Sequence, residues 1–446
     1  MTDAQKIRNS SRQQLEDQPR VPGMLRSLRH RNFQLFFSGQ MISLIGTWMQ
    51  TIAQSWLVYR LTGSSLLLGV VGFAGQIPVF LLAPVGGMAA DRWNRHRVVI
   101  GTQLSSMILA FILAALTLLH IVRVWEICVL AALLGAVNAF DIPARQSFLI
   151  DMVGREDLMN AIALNSSMFN GARVIGPAIA GLLVAWIGEG WCFFANAVSY
   201  VAVIAGLLMM KLGPFRQMIT EASPFEHIAE GFRFVQRTKP ILALILLIGL
   251  VSLVAVPYSV LMPIFADRIL HGGARGLGIL MGATGIGALL GALTLAMRRG
   301  VHGLGRWVGI SALSFGVSLI LFSFSRWFWV SMILLVPVGY SVMLQMSSSN
   351  TLIQAMVPDE LRGRAMAAYT MMFMGMAPMG SLFAGALADR IGAPWTVAIG
   401  GIGAVIGSIV YLRKLPELRF EARQLIVAQG IGGPEPVKEM TARGIS

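Results

Sequence analysis

Twelve predominantly apolar runs alternate with short polar connections along this 446-residue chain. Six fall at about 33–59, 66–90, 98–120, 124–146, 161–188 and 191–211, and six more at about 241–266, 277–297, 307–325, 327–349, 365–388 and 394–412. A helix needs roughly 20 apolar residues to cross about 30 Å of hydrocarbon. A helix also closes its own backbone hydrogen bonds, which a bilayer cannot do for it. Connections such as Gly188-Glu189-Gly190 and Arg326 are so short that the helices they join must run antiparallel. The pattern predicts an all-α polytopic membrane protein, with twelve transmembrane helices in two pseudo-symmetric six-helix bundles. The predicted divisions are a tail over 1–32, a first bundle over 33–211, a linker over 212–240, a second bundle over 241–412 and a tail over 413–446.

Composition agrees: 56% of residues are hydrophobic and 13% charged, against about 25% charged in soluble domains. The net charge of +14 would suit nucleic acid, but its placement excludes that partner. With the N-terminus assigned to the cytoplasm, inside segments hold 28 of the 35 Lys and Arg and outside loops six, with Arg173 alone in a span. Such asymmetry sets membrane orientation, and it predicts both termini in the cytoplasm. Cys128 and Cys192 lie inside apolar runs, which excludes a disulfide framework or paired-cysteine metal site. The first thirty or so residues are polar, so they read as a solvated tail and not a signal peptide. In the linker, EHIAEGFRFVQRT mixes charges with aromatics at spacings that suit a helix on the membrane surface.

The two halves also repeat. SFLIDMVGREDLMNAIALN matches NTLIQAMVPDELRGRAMAAY, pairing Leu149 with Leu352 and Leu158 with Leu361 at a constant offset of 203. Repeats of this kind build many secondary transporters, with the substrate between them near the midplane.

Between spans two and three stands GGMAADRWNRHR, residues 86–97. Gly87, Asp91, Arg92, Arg95 and Arg97 fit the loop signature of the major facilitator superfamily, which the chain therefore resembles. Gly87 would admit a close helix neighbour, Asp91 would pair with that neighbour or with a helix N-terminus, and the arginines would hold the headgroup level. The resemblance implies a latch for the outward-open state. The matching second-half loop around Arg298 and Arg306 lacks the aspartate. In span five, Gly171, Arg173, Gly176, Pro177 and Gly181 resemble the Gly-Pro motif of antiporter branches, where small residues pack closely and proline permits a bend.

Charges within spans are costly and tend to face a partner or a water-filled cavity. Asp141 and Arg145 share a helix face at i, i+4, and Arg173 lies deep in span five. Asp141 is either a proton carrier tuned by these arginines or a fixed salt bridge. Uncharged polar groups at Thr47, Gln50, Thr51, Gln54, Gln76, Gln103, Asn138, Asn165, Asn170, Tyr258, Gln345 and Asn350 are candidates to line the cavity. Met372 and Met376, in a methionine-rich span eleven, would give a face that adapts to varied apolar ligands, or simply fill a core. Pro257 and Pro263 predict a broken span seven. No nucleotide-binding or catalytic motif is present, so neither enzymatic activity nor a cofactor is expected, and an ion gradient would supply the energy.

Stretches at 32–69, 140–153, 172–181 and 257–270 further resemble the branch that includes enterobactin-exporting and macrolide-efflux proteins. That resemblance implies proton-driven export of a small amphiphilic molecule, a siderophore or drug, by a monomer in a bacterial inner membrane. An importer or facilitator of a metabolite or lipid is the alternative on the same fold.

Overall fold

The structure is a computed structural model that describes residues 23–213, 233–298 and 300–429. Among these, all regular structure is helical: α1 (Arg31–Thr62), α2 (Ser65–Arg92), α3 (Arg95–Leu118), α4 (Val124–Ile187), α5 (Glu189–Leu208), α6 (Lys239–Val254), α7 (Gly273–Ala296), α8 (Leu304–Phe324), α9 (Phe328–Met356), α10 (Asp359–Ile391) and α11 (Ala393–Ala428). Ten helices, with α6 counted through Ile269, are long and apolar enough to cross a membrane. α1 falls outside that set, its apolar run interrupted by Gln40, Ser43, Thr47, Gln50, Thr51 and Gln54. Most of the expected linker helix lies outside the described residues.

α4 spans 64 residues, about 96 Å at 1.5 Å per residue, far more than a bilayer needs. Gly154, at φ 73° and ψ 179°, breaks it into two helices. The corresponding break in the second half is Val357-Pro358, between α9 and α10, with Val357 203 positions after Gly154. The connection expected as a loop at 147–160 is thus mostly helical, turned at one residue that only glycine adopts cheaply.

The repeat extends to packing. A Cβ added at Gly135 would lie 2.4 Å from the Gly75 carbonyl oxygen, where α4 crosses α2. One added at Gly339, 204 positions later, would lie 1.8 Å from the Thr284 carbonyl oxygen, where α9 crosses α7. Small residues let backbones touch in both halves.

Between halves, α2 meets α10 where Gly69 faces Gly385, and α4 meets α7 where Gly181 faces Gly278. Both contacts lie toward the ends that the Lys/Arg distribution assigns to the outside. At that same end the Tyr59 hydroxyl donates to Asp267 Oδ2 (2.7 Å), and Arg268 donates to the Gly63 carbonyl (3.1 Å). Past Val254, α6 gives way to a 3-10 segment (Val256–Leu261), one helical turn and a π segment (Phe265–Ile269). Pro257 and Pro263, which lack backbone donors, explain this expected break.

Two expectations about the tails are corrected. Residues Gly23–Arg29 are not solvated tail but a 3-10 segment docked on the start of the second α4 helix. Ser27 is fully buried, with its amide donating to Asn160 Oδ1 (2.8 Å) and its hydroxyl to the Asp157 carbonyl (3.1 Å). The C-terminal tail likewise starts as helix. α11 runs past the expected end at 412, through Pro416 to Ala428, because Leu415, Leu418, Ala422, Leu425 and Ile426 pack on the main apolar cluster.

The docked segment is held by charge. Asp157 Oδ1 pairs with Arg26 Nε (2.8 Å), and Oδ2 with Arg29 Nη2 (2.8 Å) and His30 Nε2 (2.7 Å). The His30 hydrogen bond, then the two guanidinium groups, hold the Asp157 carboxyl below the usual carboxylate range. A carboxylate whose pKa falls on docking stabilises the docked form fully above its free value of about 3.9, and loses that contribution as pH falls through the lowered one. Docking should therefore be unchanged by this group between pH 7 and pH 5. Asp157→Asn should release residues 23–30 throughout that range, seen as faster amide hydrogen exchange there. Unchanged exchange in the variant would contradict the charge-based account.

Candidate functional site

The first half of α4 carries the strongest candidate. Asp141 is 4% exposed, and its partners come from α3 and from its own helix. Thr102 Oγ1 and Gln103 Nε2 both donate to Oδ1 (2.8 and 2.9 Å), and Arg145 Nε lies 3.4 Å from Oδ2. The closest bonds to the carboxylate are thus from neutral groups, and the cation is the longer contact. Gln103 Oε1 is buried without a partner, so an amide flip would offer a protonated Asp141 an acceptor where the ionised one finds a donor.

Arg173, in the second half of α4, does not join this network. Its guanidinium carbon lies 5.8 Å from the centroid of the Trp48 ring, and Trp48 in turn stands edge-on to Phe169 at 5.7 Å. Tyr258, from the broken α6 region, lies within electrostatic range of Arg173. Of the two arginines expected beside Asp141, only Arg145 is there. Gly176 and Pro177 are buried, and a Cβ at Gly176 would approach Trp48 Cβ to 2.5 Å. The Gly-Pro segment therefore wedges α4 against α1, while Gly181 serves the contact with α7.

The 86–97 loop is placed differently from the expectation in one respect. A Cβ at Gly87 would meet nothing within 4 Å, whereas one at Gly86 would lie 1.9 Å from the Ala139 carbonyl oxygen. The close approach to α4 belongs to Gly86. Arg95 ties the loop to α4, donating to the Ser147 carbonyl (3.2 Å) and lying 3.4 Å from Asp151. Asp91, Arg92 and Arg97 are exposed, and none has an ion-pair partner among the described residues.

The polar positions divide. Gln50 is buried and its Oε1 accepts from Asn196 Nδ2 (2.6 Å), so it joins α1 to α5 and does not present its amide to a cavity. Thr47 bonds the Ser43 carbonyl (2.9 Å) and approaches the Tyr200 hydroxyl (3.4 Å). Asn170 bonds its own helix at Ser166 (2.9 Å), and Tyr258 packs edge-on against Phe315. Gln54 and Asn138 are half-buried, and Gln76 is exposed. Gln345 is fully buried with neither side-chain atom paired, as are the hydroxyls of Ser348 and Ser349 on the same α9 face. Met372 and Met376 pack over Gly249 of α6, on the core side of α10.

A family described as "Transmembrane secretion effector", within the major facilitator superfamily, matches residues 23–441. The chain belongs to that family. It is accordingly a transport protein and not an enzyme. Among characterised relatives, this family member is 27% identical over 379 residues to the staphyloferrin A transporter of Staphylococcus aureus, covering 84% of the chain and 94% of that protein. It is 29% identical over 388 residues to the multidrug efflux pump Tap of Mycolicibacterium fortuitum, covering 84% and 93%. In structure it resembles the nucleoside transporter NupG, with a TM-score of 0.66 over 88% of this chain and 99% of that one. At 13 to 15% identity such likenesses speak to the fold alone.

Proposed function

We propose that this family member is a proton-coupled exporter of a siderophore or drug, working by alternating access as a single chain in a bacterial inner membrane. Splitting α4 at Gly154 and adding α1 to the ten apolar helices makes twelve spans. The matching breaks and glycine crossings support two six-helix bundles, and the Lys/Arg distribution supports cytoplasmic termini. One observation carries the reading: the halves touch near their outer ends, through α2–α10 and α4–α7, while Asp91 has no ion-pair partner among the described residues. That is the state in which an exporter loads from the cytoplasm. The name of one relative, a multidrug efflux pump, favours export over import, and that of the other, a staphyloferrin A transporter, favours a siderophore among the cargoes. In this scheme Asp141 exchanges the proton, Arg173 and Tyr258 face the cargo, and Asp91 latches the cytoplasmic side in the opposite state.

A cross-link tests the alternation. A Cβ at Gly72 would lie 3.4 Å from Ser381 Cβ, close to the ~3.8 Å mean across a disulfide. With the free cysteines Cys128 and Cys192 replaced by serine, Gly72→Cys with Ser381→Cys should oxidise readily and stop transport, with activity returning on reduction. Full activity in the cross-linked protein would contradict movement at this contact.

A further inference from the structure

A groove of about 1030 Å³ lies between α3 and the first part of α4. Its walls are mainly apolar, from Ile108, Leu109, Leu133 and Val137, while Arg92 and Arg97 stand at its mouth beside Trp93. From Arg97 to Leu109 the helix rises about 18 Å, close to the ~15 Å of one leaflet's hydrocarbon. Trp93 is 60% exposed, as suits an aromatic at the headgroup level. Gly101 opens onto the groove, and a Cβ there would meet nothing within 4 Å.

We propose that this groove is a binding site for an anionic phospholipid of the cytoplasmic leaflet, with an acyl chain between α3 and α4 and its phosphate on Arg92 and Arg97. Charge complementarity selects that occupant. Both guanidinium groups lack an anionic partner among the described residues, and Asp91 is not part of the lining. A zwitterionic lipid would bring its own cation to two arginines, whereas an anionic headgroup neutralises them, as basic pockets between membrane helices do. The arginine-rich end is the end assigned to the cytoplasm, where anionic lipid meets such segments. The inference does not depend on the direction of transport or on proton coupling. It has a mechanical consequence, because Thr102 lines the same groove while its hydroxyl holds Asp141. A chain seated there would back the helix face that positions the buried carboxylate.

The test is thermal unfolding of the purified full-length protein in a neutral detergent, titrated with phosphatidylglycerol or with phosphatidylcholine of the same chains. Phosphatidylglycerol should raise the midpoint at lower concentration than phosphatidylcholine. Arg92→Gln with Arg97→Gln should weaken that response about twenty-five-fold, at roughly fivefold for each arginine near the surface. Gly101→Trp, whose Cβ would meet no protein atom within 4 Å and whose ring would occupy the groove, should abolish it and so guards against misfolding of the double variant. Arg326→Gln, a charge change at the opposite end, should leave it intact. Equal responses to the two lipids, an unchanged response in the Arg92/Arg97 or Gly101 variants, or an equal shift with inorganic phosphate alone would each overturn the proposal.

Discussion

Asp141→Asn is expected to abolish proton-driven accumulation of substrate while leaving downhill exchange intact. The amide keeps the shape of the side chain and an oxygen for Thr102 and Gln103, whose bonds of 2.8 and 2.9 Å are the closest at the site. What it removes is the exchangeable proton and the charge facing Arg145. Arg145 keeps 20% of its side chain exposed, so its guanidinium retains access to water and the variant should still fold. Accumulation against a gradient should fall about tenfold or more, the scale on which linked ligands shift one another, with exchange of labelled for unlabelled substrate near wild type. Measuring both in proteoliposomes separates the proton carrier from a fixed salt bridge. If Asp141 were structural, both activities would fall together with thermal stability.

The second large effect is on folding. Gly339→Val should prevent stable insertion, because its Cβ would lie 1.8 Å from the Thr284 carbonyl oxygen and 2.7 Å from its carbon. These atoms belong to the α7 backbone, which cannot rotate aside as a side chain can. Ordinary overpacking costs about 1–3 kcal/mol, and a clash with backbone at this distance should exceed that range. Gly287 makes the reciprocal contact, with a Cβ 1.9 Å from the Val336 carbonyl oxygen, so the crossing cannot open on one side alone. Gly87→Ala is the matched comparison, since nothing lies within 4 Å of that site. Folded protein recovered after detergent extraction should be near wild type for Gly87→Ala and nearly absent for Gly339→Val. Equal recovery would contradict the packing described at the α7–α9 crossing.

Much of this architecture was legible in the chain because its main determinants are long-range averages. Apolar runs, the bias of Lys and Arg, and the 203-residue offset each sum over many residues, so local errors do not spoil them. The helix breaks at Gly154 and Val357-Pro358 fall within the repeated segment itself. Details that depend on helix phase were harder to read. Adjacent residues on a helix point about 100° apart, so whether Gly86 or Gly87 meets α4 could not be settled from a run of small residues. Gln50 reads equally well as lining a cavity or as joining helices until Asn196, 146 positions away, is brought beside it. The Asp157 cluster was hidden for a related reason: a charged connection and a polar tail each look solvated until they are seen to pair. Asp141 lies 13 residues before the Gly154 break and Arg173 19 residues after it, a difference of about 9 Å along the helices, and Arg173 meets Trp48 instead.

In the proposed mechanism, inward proton movement through Asp141 drives cargo out. Everted membrane vesicles that hold a proton gradient, challenged with catecholate siderophores and macrolides, would report this coupling. At least one such compound should dissipate the gradient with the wild-type protein and leave it intact with Asp141→Asn. Accumulation of a compound by wild-type vesicles without any loss of the gradient, or gradient loss that persists unchanged in Asp141→Asn, would contradict it.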